Sequence, residues 1–408
     1  MKIVFNQIRL IIFLIFGIVL FSCNSPEYTS SIDLTKNHTV SVFDVFSDVK
    51  VIKLETTENN LINEIKRIKY YDSRYFILDE RSQQIFCFDE DGSLVYKIDS
   101  QGRGKGEYHY ITDFSIDEKN EQMVILDPVV QRVHFFDLNG GFLSSHDIKS
   151  DKVLGLNRVY PLQDSLLILI SITFERLQFY SLKEEKIKYA DLEFDISSLQ
   201  AFTPRDNIYF FDEKVFLLIP LSSEIADVST MIPESYFTWC FGPNNNSSEQ
   251  VSRLLEDIKF KMENRENYLH PWQAVGKNKT LNHHIVKSFE NNRFRIAAVE
   301  FYNDYKFVVI DKRNNQTVVF NSFREGIRLQ YEHIQFEKVI AFYKPEFGPR
   351  EISIIEREGL QAYFFGRNQM VYVTDILSED CRKIIETHDT MTDNPFLVVY
   401  KFKEKYLL

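Results

Sequence analysis

The sequence predicts an all-β chain assembled from a repeated sheet-forming unit. Three observations carry this reading. A stretch of sequence recurs without a gap at an offset of 48 residues. The chain holds 36 Phe and 21 Tyr but only 14 Gly in 408 residues. Short apolar runs alternate with Asp–Gly and Asn–Gly turns. Aromatic and β-branched residues fit the half-buried surface of a strand. With 44% hydrophobic and 26% charged residues, the composition is that of a globular chain, not a coiled coil, collagen or a disordered polymer. The net charge of −11 speaks against a broad basic face, so no nucleic-acid partner is expected.

The repeat sets the architecture. Tyr75–Leu94 aligns with Met123–Phe142, pairing Asp79 with Asp127, Phe88 with Phe136, Asp89 with Asp137 and Gly92 with Gly140. Each copy reads strand, turn, strand, D-x-[DN]-G turn, strand. The glycines supply the positive φ that a tight hairpin needs. Self-similarity at this period marks β-propellers and related arrays. Lys306–Asp311 followed by Val318–Asn321 aligns as a third, partial copy, matching Asp311 to Asp79 and Phe320 to Phe88. Leu167–Ile170 with Leu177–Tyr180 is a degenerate fourth. Further strand-like runs lie at 208–211, 215–219, 361–365, 370–373 and 396–402. At roughly 48–60 residues per unit, the region from Val49 onward accommodates six blades, with seven left open. The 396–402 strand is expected to complete the blade begun near Val49. Closure of that kind leaves no open sheet edge along the ring.

The chain opens with an address. Lys2 and Arg9 precede the uncharged apolar run Leu10–Phe21, then Ser22 and Cys23. That run is shorter than the ~20 residues of a spanning helix and has the layout of a secretory signal. Leu20-Phe21-Ser22-Cys23 resembles a bacterial lipobox, with bulky Phe21 as its one departure. The resemblance implies a signal peptide over 1–22, cleavage before Cys23 and acylation of Cys23. Two or three acyl chains anchor a protein stably. Loss of Lys2 and Arg9 takes the net charge from −11 to −13, so lipid, not a basic patch, would hold the chain at the membrane. Polar residues 23–40 read as a flexible tether and 41–408 as the propeller. Cys87, Cys240 and Cys381 remain, odd in number and without a CxxC spacing, which supports neither a zinc site nor a redox pair.

One segment breaks the β pattern. Ser247 and Gln250 have capping-box spacing, and Val251, Leu254, Leu255, Ile258 and Met262 follow at helical intervals. A helix over about 248–264 is expected, inside an insertion spanning about 235–285. It would pack on the propeller rim or, as the alternative, cover the central face.

Val51-Ile-Lys-Leu-Glu-Thr-Thr57, Phe88-Asp89-x-x-Gly92, Gly102-Arg-Gly-Lys-Gly-Glu-Tyr108 and Ile111-Thr-Asp-Phe114 occur in this order. Together they resemble the six-bladed β-propeller lipoproteins of Bacteroidetes, whose blades are NHL-like. Lys105 stands where that family usually has Pro. The likeness covers 49–148, and 285–320 resembles the family's fifth blade. It implies a lipid-anchored envelope protein, at the outer membrane, serving as a binding or scaffold module. It implies no mechanism.

The GRGKGEY loop is the candidate ligand site. Alternating Gly residues free backbone N–H groups, and Arg103, Lys105 and His109 add positive charge beside Glu107, a pattern suited to an anion. The competing reading is structural: Glu107 and Tyr108 tie a connection between blades to a neighbouring strand. The spacing matches neither a Walker A loop nor a dinucleotide fingerprint. Asp79, Asp127 and Asp311 read as turn caps. The nine His form no ligand set, so no metal, no cofactor and no catalytic residue is assigned. The expected partner is a glycan, a peptide or an envelope protein. A carbohydrate-active hydrolase or lyase using acids on the central face is the alternative; two carboxylates about 5–10 Å apart would mark it.

Overall fold

The computed structural model describes residues 27–28, 31–148, 155–162, 165–171, 176–193, 207–219, 221–264, 281–302, 304–327, 335, 338–343, 375–389 and 392–403. Six small sheets form a ring, a six-bladed β-propeller. Blade 1 comprises strands Ile65–Tyr71, Arg74–Asp79, Gln84–Asp89 and Leu94–Ile98. Blade 2 comprises Asp113–Asp117, Gln122–Asp127, Arg132–Asp137 and Phe142–Asp147. Blade 3 runs from Leu156 to Glu193, blade 4 from Ile208 to Thr238 and blade 5 from His283 to Phe320. Each is an antiparallel meander taken in chain order. Blade 6 joins Lys338–Tyr343 and Phe396–Phe402 to the N-terminal strand Phe46–Ile52. Val49 pairs with Tyr400 and Val51 with Val398, so the two ends of the chain close the ring as the sequence predicts. The runs at 361–365 and 370–373 lie outside the described residues.

The 48-residue repeat is structural. Phe88 pairs with Tyr75 and Leu94, and Phe136 pairs with Met123 and Phe142, the same positions one blade on. Period-2 alternation explains how one blade serves two interfaces. Phe76 and Leu78 face blade 2, joining Met123, Ile125 and Phe136. Their neighbours Tyr75 and Ile77 face blade 6, joining Ile340, Leu397 and Val399. Blades 2 and 3 meet through Leu126, Phe135, Val159 and Leu169, and blades 3 and 4 through Ile168, Phe179, Val215 and Leu217. Buried aromatics such as Phe76, Phe88, Phe135, Phe136 and Phe179 are therefore packing between blades.

The third copy of the repeat is displaced by one strand. Asp304–Asp311 and Gln316–Phe320 are the third and fourth strands of blade 5, not the second and third. Asp311 thus sits at the opposite end of its blade from Asp79. The strand–turn–strand signal is common to every successive pair in a meander, so a two-strand match cannot fix its place in the sheet.

The expected tether is part of the fold from Ser31 onward. Ile32, Leu34 and Val40 are buried in the core that holds Trp239 and Phe241. Glu27–Tyr28 pairs in parallel with Phe237–Thr238 at the edge of blade 4. Further on, the His38 N–H donates to the Val319 carbonyl at 2.7 Å, and the Arg324 N–H donates to the Val40 carbonyl at 2.7 Å. Ser41 Oγ and the Val42 N–H both donate to the Glu325 carboxylate. Residues 31–45 therefore form a belt across blades 4 and 5 into blade 6. Widely spaced apolar residues in a Ser/Thr-rich stretch hid this, because a belt needs only occasional anchors. The leader 1–22 and Cys23 lie outside the described residues.

The inserted helix is present over Ser248–Asn264. Its capping box is reciprocal: the Gln250 N–H donates to Ser247 Oγ and the Ser247 N–H to Gln250 Oε1. Leu254 and Ile258 are buried against Leu221, in the turn between the second and third strands of blade 4, and against Leu281, just before blade 5. The insertion begins after Thr238, since Glu234–Thr238 is the last strand of blade 4. A shorter helix, Glu379–Glu386, lies along the N-terminal strand of blade 6. There the Val51 N–H meets Cys381 Sγ at 3.4 Å. Covering an edge in this way removes a template for foreign strands. Among the described residues, no helix is long and apolar enough to cross a membrane.

Candidate functional site

The two faces of the ring differ. Turns within blades 1 to 5 on one face, such as 72–73, 90–93 and 228–233, are two to six residues long. The opposite face carries the connections between blades, from 8 residues at 148–155 to 44 at 239–282. The GRGKGEY loop and the inserted helix both belong to this second face.

The loop is built around its own side chains. Tyr108 is fully buried, and its hydroxyl donates to the Gln83 carbonyl at 2.8 Å. Gln83 returns the contact by accepting the Ile111 N–H through Oε1. The Gly102 N–H donates to the Tyr108 carbonyl, and the Gly104 N–H donates to Glu107 Oε2 at 2.6 Å. The Glu107 carboxylate thus occupies the cradle that the glycines create. A Cβ on Gly102 would lie 2.1 Å from Glu107 Oε2. Gly106 has φ +81° and presses on the Phe142 ring, which a Cβ would approach to 2.8 Å. The low-Gly chain spends its glycines here because backbone and side chains approach too closely for anything larger.

Arg103 and Lys105 remain on the outside. Both are exposed, and neither has a hydrogen bond or ion pair among the described residues. His109 is anchored through its backbone, whose N–H donates to Asp127 Oδ2 at 2.6 Å, and its Nδ1 lies 3.8 Å from the same oxygen. So the four candidate residues split. Glu107 closes the loop, His109 ties it to blade 2, and Arg103 and Lys105 face solvent. Exposed Arg81 stands in the 80–83 turn against which the loop packs. Sequence reasoning passed over it because it lies in a generic turn.

The recurrent acids act as turn caps. Asp79 is fully buried and accepts the N–H groups of Asn63, Glu64 and Arg81 and the Ser82 hydroxyl. Burial alone would raise its pKa; these hydrogen bonds outweigh that and hold it below the usual carboxylate range. Asp127 accepts the Val129 N–H at 3.0 Å. In the paired hairpins, Asp89 Oδ1 accepts from Asp91 and Ser93, and Asp137 Oδ1 from Asn139 and Gly141. Among the described residues, no three His, Cys, Asp or Glu are arranged to hold a metal ion. Among the described residues, Cys87, Cys240 and Cys381 form no disulfide.

A polar clamp that no motif announced lies nearer the axis, where the first strands of neighbouring blades meet. Arg67 of blade 1 pairs with Asp113 of blade 2 at 2.5 Å, and Asp113 Oδ2 accepts the Val159 N–H of blade 3 at 3.0 Å. The 46-residue spacing of the three residues was the available signal. On the face of blade 2 that packs toward blade 1, His134 is fully buried, and neither ring nitrogen has a hydrogen-bond partner among the described residues. Burial pushes its pKa down to about 4.

Comparison with known proteins agrees with this architecture. A provisionally named exported protein of Bacteroides fragilis NCTC 9343, known from a crystal structure, superposes with a TM-score of 0.63 at 16% identity. That match covers 93% of this chain and all of the other. A member of the DUF4221 family from Bacteroides vulgatus matches at TM-score 0.43 and 11% identity, over 70% of this chain and 88% of its own. A virginiamycin B lyase from Staphylococcus aureus matches at TM-score 0.40 and 10% identity, over 69% and 77% of the two chains. The first of these likenesses, at 16% identity, is one of fold. No curated protein matches the sequence. The model of a domain of unknown function, DUF4934, matches residues 29–401, and the chain belongs to that family.

Proposed function

We propose that this propeller is a binding module of the cell envelope, held by a lipid on Cys23. In this reading it presents its loop-bearing face to a glycan, peptide or envelope protein that carries acidic groups. The asymmetry of the two faces carries the reading. One face is trimmed to tight turns, while the other bears every long connection, and binding residues concentrate on loops held by a rigid scaffold. Arg103 and Lys105 support the acidic chemistry. They are exposed cations without a partner among the described residues, on a chain whose overall charge is −11. The outer-membrane address rests on the leader and the lipobox-like Leu20–Cys23.

The test is a binding screen of the acylated full chain against glycan and peptide arrays, with hydrolysis assayed on each hit. Hits should weaken at least tenfold in an Arg103→Ala/Lys105→Ala variant. Hits that bind the variant unchanged would remove the loop from the site. Turnover of a hit would move the protein to the hydrolase or lyase class.

A further inference from the structure

We infer that the anchor holds the rim of blade 4 close to the bilayer and turns the GRGKGEY loop away from it. The inference rests on the reading of Cys23 as the acylated residue. Its observation is the path of the belt. Glu27 and Tyr28 pair with Phe237 and Thr238 at the edge of blade 4. The Ile32 N–H donates to the Cys240 carbonyl at 2.8 Å, and Ile32 and Leu34 are buried there. Chain that is paired and buried cannot act as tether.

Reach decides the geometry. Four peptide steps separate Cys23 from Glu27, and a fully extended chain covers at most ~3.6 Å per step, or about 14 Å. Seventeen free steps to Val40 would have allowed about 60 Å. A four-stranded blade is itself about 14 Å wide, at ~4.8 Å per strand spacing. The leash is thus no longer than one blade, too short for the ring to roll over onto its far side. In a ring of six, the blade opposite blade 4 is blade 1. The GRGKGEY loop leaves blade 1 at Ile98 and enters blade 2 at Asp113. Arg103 and Lys105 therefore lie on the side of the ring remote from the anchor. Their partner belongs to the aqueous side, and the headgroups of the anchoring membrane are out of reach.

Energy transfer to the membrane tests this. The acylated full chain, with Cys240 and Cys381 replaced by Ser, is reconstituted in phosphatidylethanolamine/phosphatidylglycerol vesicles containing an acceptor-labelled lipid. A donor is attached through Ile232→Cys in blade 4 or Val95→Cys in blade 1, both exposed positions (73% and 51%). Several-fold stronger transfer from position 232 than from position 95 is expected. A flexible Gly/Ser insert of about 15 residues after Asn24 should abolish the difference, since its reach then exceeds a blade width. Equal transfer from the two positions in the uninserted protein would overturn the inference. Cys23→Ala separates the two levels. If that variant still binds vesicles, the lipid reading fails; if it is released while transfer in the parent is equal, only the orientation fails.

Discussion

Asp113 and Arg67 join blade 2 to blade 1 through a 2.5 Å ion pair, with side chains only 1% and 7% exposed. The other Asp113 oxygen takes the Val159 N–H, so one carboxylate sews three consecutive blades. Arg67 also lies over the Tyr160 ring, 5.7 Å from its centroid. The pair sits where the first strands of neighbouring blades meet.

Removing one partner of a buried pair strands the other charge, at a cost of about 3–5 kcal/mol. Asp113→Ala should therefore lower the stability read from urea unfolding by that amount. The double replacement Arg67→Met/Asp113→Leu should cost clearly less than the two single changes added together. Additive losses would show that the pair is not coupled.

Two buried imidazoles set an acid limit. His134 is held near pKa 4 by burial, well below the ordinary imidazole value of 6.5, although Asp127 and Asp147 partly favour its charged form. His283 is likewise pushed down to about 4 by burial, although its Nδ1–H donates to the Asn244 carbonyl. Between pH 6.5 and 4 the unfolded chain binds more protons than the folded one, so stability falls as pH falls through this window. It is fully present above pH 6.5. His134→Leu should flatten the curve by up to one proton, about 1.4 kcal/mol per pH unit. Chemical denaturation at pH 7, 6, 5 and 4.5 measures it, and an unchanged slope would contradict the burial argument.

The loop separates structure from surface. Tyr108→Phe removes the hydroxyl that satisfies the Gln83 carbonyl and should cost about 1–3 kcal/mol. Gly106→Ala adds a Cβ at positive φ, worth about 1–2 kcal/mol, and drives it into the Phe142 ring. Arg103→Ala and Lys105→Ala should stay within about 0.5 kcal/mol of the parent. Thermal unfolding of the four variants checks this order. A large loss from Arg103→Ala would place that side chain in the fold.

The inserted helix depends on its cap. Ser247→Ala removes an acceptor for the Gln250 N–H and should cost about 1 kcal/mol of local helix stability. Hydrogen exchange should quicken over 248–264 and remain unchanged in blades 1 and 2. Uniform quickening would mean that the helix unfolds only with the whole ring.

The repeat was legible because it is local. Asp89 and Asp137 cap their hairpins through backbone N–H groups two and four residues away, so the motif and the structure share one short stretch of chain. The same locality misled at Asp311. A strand pair looks alike anywhere in a meander, and only the sheet order shows that it is third and fourth. In the loop, the pattern of three glycines suggested an anion cradle. Whether that cradle faces a ligand or Glu107 depends on a side-chain rotamer that no spacing encodes.

The sequence by itself determined the all-β class, the blade period, the closing strand, the inserted helix and its cap. All of these follow from periodicity and turn chemistry within a few residues, apart from closure, which follows from where the strand signal begins and ends. The tertiary structure decided that residues 31–40 are a belt and not a tether, that Glu107 fills its own loop, and that Arg67, Asp113 and Val159 form one clamp. Each of these joins residues from separate blades or from the two sides of a turn. Their free energy comes from burial and pairing across the ring, which exists only once the ring has closed.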